Sequence, residues 1–234
     1  MSAFFTLHRD LPREGPGDRA GLDWALGIAK PPKNAQILDA ACGPGADIEG
    51  LLAHAPEGHL TAVDRQTHFI EAVNGIYGRD PRVTAKIGDI SEPGGAYDLI
   101  WCAGALYFLG VENGLRLWRN ILKPGGTVAF SEPIYFTDTP SENAKRFWEG
   151  YDTQTHAGIT AQIEAAGYTT LGYQPVSDEA WENYYTPADA RIKALRPTAD
   201  QELRAVLDQA EREAAFWRAN RRETGYGLFV VRPA

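Results

Sequence analysis

Short apolar runs alternate along the chain with stretches whose apolar residues recur every three or four positions. That is the pattern of a parallel sheet covered by helices on both faces. The runs predict strands at Gln36–Ala40, His59–Asp64, Val83–Ile87, Tyr97–Ala103, Thr127–Ser131 and Thr169–Gln174, and a last one at Tyr226–Val231. Leu22, Ala25, Leu26 and Ala29 share a helical face behind the cap candidate Asp18, with Pro31 and Pro32 as its stop. Ile48, Leu51, Leu52 and Ala55 predict a second helix, and Phe69, Ile70, Val73 and Tyr77 a third. A fourth, with Leu115, Trp118 and Leu122, is expected to stop at the tight turn Lys123-Pro124-Gly125-Gly126. Ser141 precedes a helix carrying Ala144, Phe147, Trp148 and Tyr151, and Thr160 is expected to open a short one closed by Gly167.

From Ser177 to Thr224 the rhythm changes. WENYY is aromatic, Pro187 and Pro197 punctuate, and Thr198 with Gln201 has the spacing of a capping box. Leu203, Val206, Leu207, Ala210, Ala214 and Trp217 then form one stripe. There is no internal repeat or linker, so residues 1–234 are expected to form a single domain, with 177–224 a helical insertion capping it.

Composition narrows the partners. The 234 residues carry a net charge of −8, which disfavours nucleic acid and anionic membrane surfaces, both of which select clustered cations. No apolar run is long enough to span a bilayer and no secretory signal is visible, so a cytoplasmic location is expected. Cys42 and Cys102 have neither a disulfide framework nor a metal spacing, and no metal is expected.

Most of the chemical information lies in Ile37-Leu38-Asp39-Ala40-Ala41-Cys42-Gly43-Pro44-Gly45-Ala46-Asp47, between a strand and a helix. Small residues there admit a ligand to the backbone, and the helix start offers free N–H groups. Asp39 would repel a pyrophosphate, whereas it suits a ligand bearing an ammonium and a sulfonium. The turn therefore favours S-adenosylmethionine (SAM) over NAD. Asp64 ends strand two at the spacing from which an acid takes ribose hydroxyls, and Asp89 follows strand three, where a carboxylate can accept from an exocyclic amine. Each acid alone also fits a helix cap or a solvated turn; the three together at consecutive strand ends point to a ligand.

These residues resemble the class I SAM-dependent methyltransferases. ILDAACGPGAD is similar to that family's first motif, LTAVDRQ to its second-strand acid, KIGDI to its adenine turn, and YDLIWCAGALYFLG and LKPGGTVAFSEP to its fourth and fifth strands. The resemblance implies an α/β, Rossmann-like, seven-stranded mixed sheet in the order 3-2-1-4-5-7-6, last strand antiparallel, helices on both faces. It implies SAM as cofactor, with S-adenosylhomocysteine as product. Asp39, Ala41, Cys42 and Gly43 would line its methionine and ribose, Asp64 hold the ribose, and Arg65 pack on the adenine. Asp89 and Ile90 would contact the adenine, and Cys102 and Ala103 run under the methionine; Ala41 stands where the family more often has Gly. PREGPG, IWCAGALYFLG and WENYY further resemble a bacterial small-molecule-type subgroup without an assigned substrate. In it, Gly15, Pro16 and Gly17 would approach the cofactor as part of an N-terminal covering segment (1–30).

The activity so implied is methyl transfer to a small-molecule acceptor by in-line displacement, by a monomer or homodimer. Such a reaction needs positioning and exclusion of water more than it needs a base. Tyr107 is expected to face the methyl, and Trp181, Tyr184 and Tyr185 to shape the acceptor pocket, or for Trp181 simply to pack the insertion. Glu132, His8 and His156 are candidate bases, none tied to a motif, so no catalytic residue is assigned. The alternatives are a SAM-binding protein without turnover and, less favoured, an NAD(P)-dependent oxidoreductase, whose GxGxxG turn is absent.

Overall fold

The computed structural model describes residues 2–234. Five strands run parallel: β1 (Gln36–Ala40), β2 (His59–Asp64), β3 (Val83–Ile87), β4 (Tyr97–Ala103) and β5 (Leu122–Tyr135). Two more continue the sheet, β7 (Tyr168–Pro175) and β8 (Thr224–Pro233), with β8 antiparallel between β5 and β7. The order β3-β2-β1-β4-β5-β8-β7 is the expected one, shifted in label by one additional strand. That strand, β6 (Gln154–Thr155), pairs with Ile134 and Tyr135, beyond the last β5 residue that β4 reaches, Ser131.

Alternation along the strands separates two cores. Leu38, Ile100, Val128 and Phe130 face α5 (Val111–Trp118) and α7 (His156–Ala165). Ile37, Leu99, Ala129 and Val230 face α2 (Arg19–Ala29), α3 (Ile48–His54) and α4 (Thr67–Tyr77). Asp18 accepts the Gly21 N–H at 2.6 Å and so starts α2 as predicted. Trp118, fully buried, donates its indole N–H to the Ile90 carbonyl at 2.7 Å, tying α5 to the loop after β3.

Several local expectations are overturned. Lys123-Pro124-Gly125-Gly126 is an excursion within β5: Leu122 already pairs with Tyr97, and pairing resumes at Thr127 with Leu99. The preceding helix therefore ends at Trp118, not Leu122. The helix expected at Thr160 begins at His156, because Thr155 caps it through the Gly158 N–H. Asp200, not the Thr198–Gln201 pair, caps α9 (Gln201–Asn220), accepting from Leu203 N at 2.9 Å. Pro187 lies inside α8 (Asp178–Leu195) without ending it. An interior proline costs about 3 kcal/mol, but Trp181, Tyr185, Ala188 and Ile192 are buried on both sides of it along one stripe.

α8 and α9 pack over the carboxyl ends of the strands through an aromatic cluster. The Trp181 and Trp217 rings stack at 4.8 Å and those of Trp148 and Tyr226 at 5.6 Å. The N-terminal helix α1 (Ala3–His8), which the sequence pattern did not predict, joins this layer: Leu7 packs with Ile192, Ala199 and Leu207. Arg191 of α8 donates to the Leu7 and Thr6 carbonyls at 2.7 and 2.9 Å, satisfying acceptors at the end of α1. Residues from both ends of the chain thus cover the same rim of the sheet. No helix is long and apolar enough to cross a membrane among the described residues.

Candidate active site

The chain runs β1, β2, β3 outward on one side of β1 and then returns to place β4 on the other. Open α/β sheets bind ligands at the carboxyl ends of the strands beside such a reversal. Here a cavity of about 680 Å³ opens there, a size suited to a cofactor together with a small molecule.

The turn after β1 forms its floor. Ala41 has φ +61° and Gly43 φ +51°, which swings the chain away from the sheet, and the Cys42 N–H bonds the Val63 carbonyl at 3.0 Å. At Gly45 the backbone has φ +87°, which favours glycine, and an added Cβ would press on Ile48 Cδ1 at 2.9 Å and Val73 Cγ2 at 3.0 Å, where α3 and α4 meet beneath the turn. Asp64, at the tip of β2, accepts the Gly43 N–H at 3.0 Å and the Gln66 N–H at 2.8 Å. One lone pair on each oxygen is left for a donor in the cavity. Asp39 is almost wholly buried at the end of β1; burial, with Asp47 and Asp64 nearby, pushes its carboxyl well above the usual range.

Of the predicted cofactor residues, Gly15, Pro16, Asp39, Ala41, Cys42, Gly43, Asp64, Arg65, Ile90 and Ala103 line this cavity. Three do not. Cys102 is fully buried on the opposite face of β4, in the α5–α7 core, because neighbouring strand residues alternate and Ala103 takes the cavity side. Gly17 is turned to α8, donating to the Ala180 carbonyl at 3.1 Å and accepting from Asn183 Nδ2 at 3.3 Å. Asp89 accepts from Ser91 N and Oγ, both at 2.8 Å, and pairs with Arg65. Those bonds hold its carboxyl down at about 2. Arg65 both lines the cavity and pairs, at an exposed position, with Asp89.

All four predicted acceptor residues, Tyr107, Trp181, Tyr184 and Tyr185, also line the cavity. Trp181 packs the insertion as well, through its stack on Trp217. Tyr185 donates to Glu213 Oε1 at 3.1 Å, and burial raises both the Tyr184 and Tyr185 hydroxyls. Among the candidate bases, His8 lines the cavity and Glu132 a neighbouring one, whereas His156 touches neither and packs on Tyr173.

Sequence reasoning missed three contributors. Arg13 donates Nε to the Gly15 carbonyl at 2.6 Å and Nη2 to Asp47 Oδ1 at 3.4 Å, strapping the N-terminal loop to the start of α3. Asp47 Oδ2 meanwhile accepts the Trp101 indole N–H at 2.9 Å. Glu14, paired with His8 at 2.6 Å, has its other oxygen buried without a partner, and burial raises its carboxyl. The cavity walls carry Glu14, Asp39, Asp47, Asp64, Asp189 and Glu213 against Arg13 and Arg65, a surplus that suits a cationic guest.

A sheet of this order, with its ligand cavity at the tips of β1, β2 and β4, is the class I methyltransferase fold. The family described as Methyltransferase domain matches residues 37–126, the stretch from β1 into β5. Trans-aconitate 2-methyltransferase of Deinococcus radiodurans is 26% identical over 145 residues, 59% of this chain and 49% of that protein. The chain spans about half the length of that relative and of a malonyl-[acyl-carrier protein] O-methyltransferase it also matches. A dTDP-4-amino-2,3,4,6-tetradeoxy-D-glucose N,N-dimethyltransferase of Saccharopolyspora spinosa is 28% identical, covering 90% of this chain and 86% of its own. The crystal structure of a SAM-dependent methyltransferase from Geobacter sulfurreducens, in complex with S-adenosylhomocysteine, superposes with a TM-score of 0.84 at 21% identity, over 99% of this chain and 98% of that one. The chain thus shares the class I SAM-dependent methyltransferase fold and is similar in sequence to methyltransferases over β1 to β5.

Proposed function

We propose that the chain binds SAM in the large cavity and transfers its methyl group to a small-molecule acceptor held under α8 and α9. The observation that carries the reading is the meeting of Asp39, Asp64 and the Gly43 turn in one cavity whose charge suits a cation. The residues fit the cofactor. Asp64 offers lone pairs to ribose hydroxyls, Asp39 offers a buried carboxylate to an ammonium, and Ala103 and Ala41 leave room along the β4 and β1 tips. A bound cation would draw the Asp39 carboxyl back to its charged form. SAM supplies a methyl group on a positively charged sulfur.

The protein's part is to position and to dry the site. Residues 1–30 and 177–224 act as the covering segment and the cap: Gly15 and Pro16 on one side, Tyr184 and Tyr185 on the other, converge on the cavity. Tyr107, just beyond β4, lies where it can flank the transferring group. Holding the two reactants aligned accounts for up to about 7–11 kcal/mol of such a barrier, and closing the rim excludes the water that would compete.

Calorimetric titration with SAM and with S-adenosylhomocysteine tests the reading. Saturable binding of both is expected, and methyl transfer to one member of an acceptor panel. Absence of binding at millimolar ligand overturns the proposal; binding without turnover across the panel points to a binding protein instead.

A further inference from the structure

We propose that a second cavity, on the α5–α7 side of the sheet, is a binding site for an alkylammonium group. Its volume is about 380 Å³, and Glu132, Thr153, Asp152, Tyr107 and Tyr151 contribute to its wall. Glu132 stands on β5 beyond the last residue that β4 pairs, so its side chain projects into the gap that β4 leaves. It is 5% exposed, and its Oε2 has no hydrogen-bond partner. The Thr153 hydroxyl, on the segment closing the cavity, is buried beside the Tyr135 hydroxyl. Leaving a buried carboxyl oxygen unmatched is costly, so Glu132 in this cavity indicates a guest with a hydrogen-bonding polar group.

The charges around Glu132 select the guest. Asp152 lies close enough to push the Glu132 carboxyl up further, beyond the effect of burial. The cavity's cation, Arg116, is balanced within the wall: it pairs with Glu112, which also lines the cavity, at 2.6 Å and donates to the Ala165 carbonyl at 3.0 Å. Tyr107 and Tyr151 meet edge to face at 5.3 Å and 89°, and present ring surface of the kind that attracts organic cations. An anion would meet the Asp152 carboxylate and hold Glu132 in its protonated form, whereas an ammonium draws the Glu132 carboxyl into its charged form; a neutral apolar group would leave it unsatisfied.

Tyr107 and Tyr151 line the large cavity as well, so the two spaces adjoin across this ring pair. The ammonium site is thus placed to anchor a basic arm of the methyl acceptor. That role rests on the methyltransferase reading; the existence of the site does not.

The test is a titration of isotope-labelled protein with propylammonium chloride, with propanol and propionate as controls, following the backbone amides of Glu132, Asp152 and Thr153. Saturable shifts with the ammonium alone are expected, and affinity about tenfold lower in Glu132→Gln. Asp152→Asn, at an exposed position, is expected to weaken binding about twofold. No saturable shift, an equal response to propanol, or unchanged affinity in both variants overturns the site. S-adenosylhomocysteine is titrated into the same samples and is expected to bind Glu132→Gln as it binds the parent. Its failure to bind defeats the cofactor reading and leaves the ammonium result to be judged separately.

Discussion

The Gly43 amide donates to Asp64 Oδ2 across 3.0 Å, joining the turn after β1 to the tip of β2. The bond fixes the acid before any ligand arrives. It also makes Asp64 part of the turn's own structure, so its removal has two effects.

Asp64→Ala is expected to weaken S-adenosylhomocysteine binding by about 1.5–3 kcal/mol, the worth of hydrogen bonds to a charged group. The Gly43 and Gln66 N–H groups also lose their acceptor, at about 1–3 kcal/mol in stability, which the fold survives. Calorimetry and thermal unfolding read the two effects separately. Unchanged affinity removes Asp64 from the site.

Ala41 holds φ +61°, a conformation that is strained for any residue with a Cβ. Ala41→Gly is expected to stabilise the protein by about 1 kcal/mol, strain relief exceeding the entropy that glycine adds to the unfolded chain. Denaturant unfolding measures it; a destabilised variant shows that the methyl packs usefully on the cavity wall.

Glu132 has its carboxyl pushed up to about 8 from 4.5, chiefly by burial and secondarily by Asp152. The folded state therefore holds a proton that the unfolded state has released between pH 4.5 and 8, and stability falls as pH rises through that window. Glu132→Gln abolishes this slope. It is expected to match the parent below pH 4.5 and exceed it above pH 8 by on the order of 5 kcal/mol. Parallel stability curves against pH refute the assignment.

Arg13→Ala cuts the strap between Gly15 and Asp47 while leaving the Trp101 bond to Asp47 in place. Proteolysis within residues 10–18 is expected to quicken, and S-adenosylhomocysteine affinity to fall by about 1 kcal/mol, with little change in global unfolding. Unaltered cleavage and affinity together show that the loop is held by other contacts.

The strand tips were legible because a parallel sheet repeats one local rule: an apolar run ends, and a small or acidic residue follows. Asp39, Asp64 and the Gly43–Gly45 turn obey it and meet in space. What escaped depended on partners far along the chain. Arg13 with Asp47, Arg191 with the end of α1, and Trp101 with Asp47 are pairings that no local pattern encodes. Pro187 misled because helix propensity is local, whereas the burial that overrides it belongs to the packed layer. Strand parity turns Cys102 into the core and gives the cavity side to Ala103, one residue on. Asp89 is held by Ser91 two residues on, a short-range bond of its own turn.

The antiparallel β8 lies between β5 and β7, yet its residues follow every other element in the chain. Until Thr224–Pro233 pair with it, the backbone N–H and C=O groups along Val128–Tyr135 of β5 lack a partner strand on that edge. Completion of that half of the sheet therefore waits on Thr224–Pro233, and an unpaired strand edge of this kind is a template for pairing with another chain.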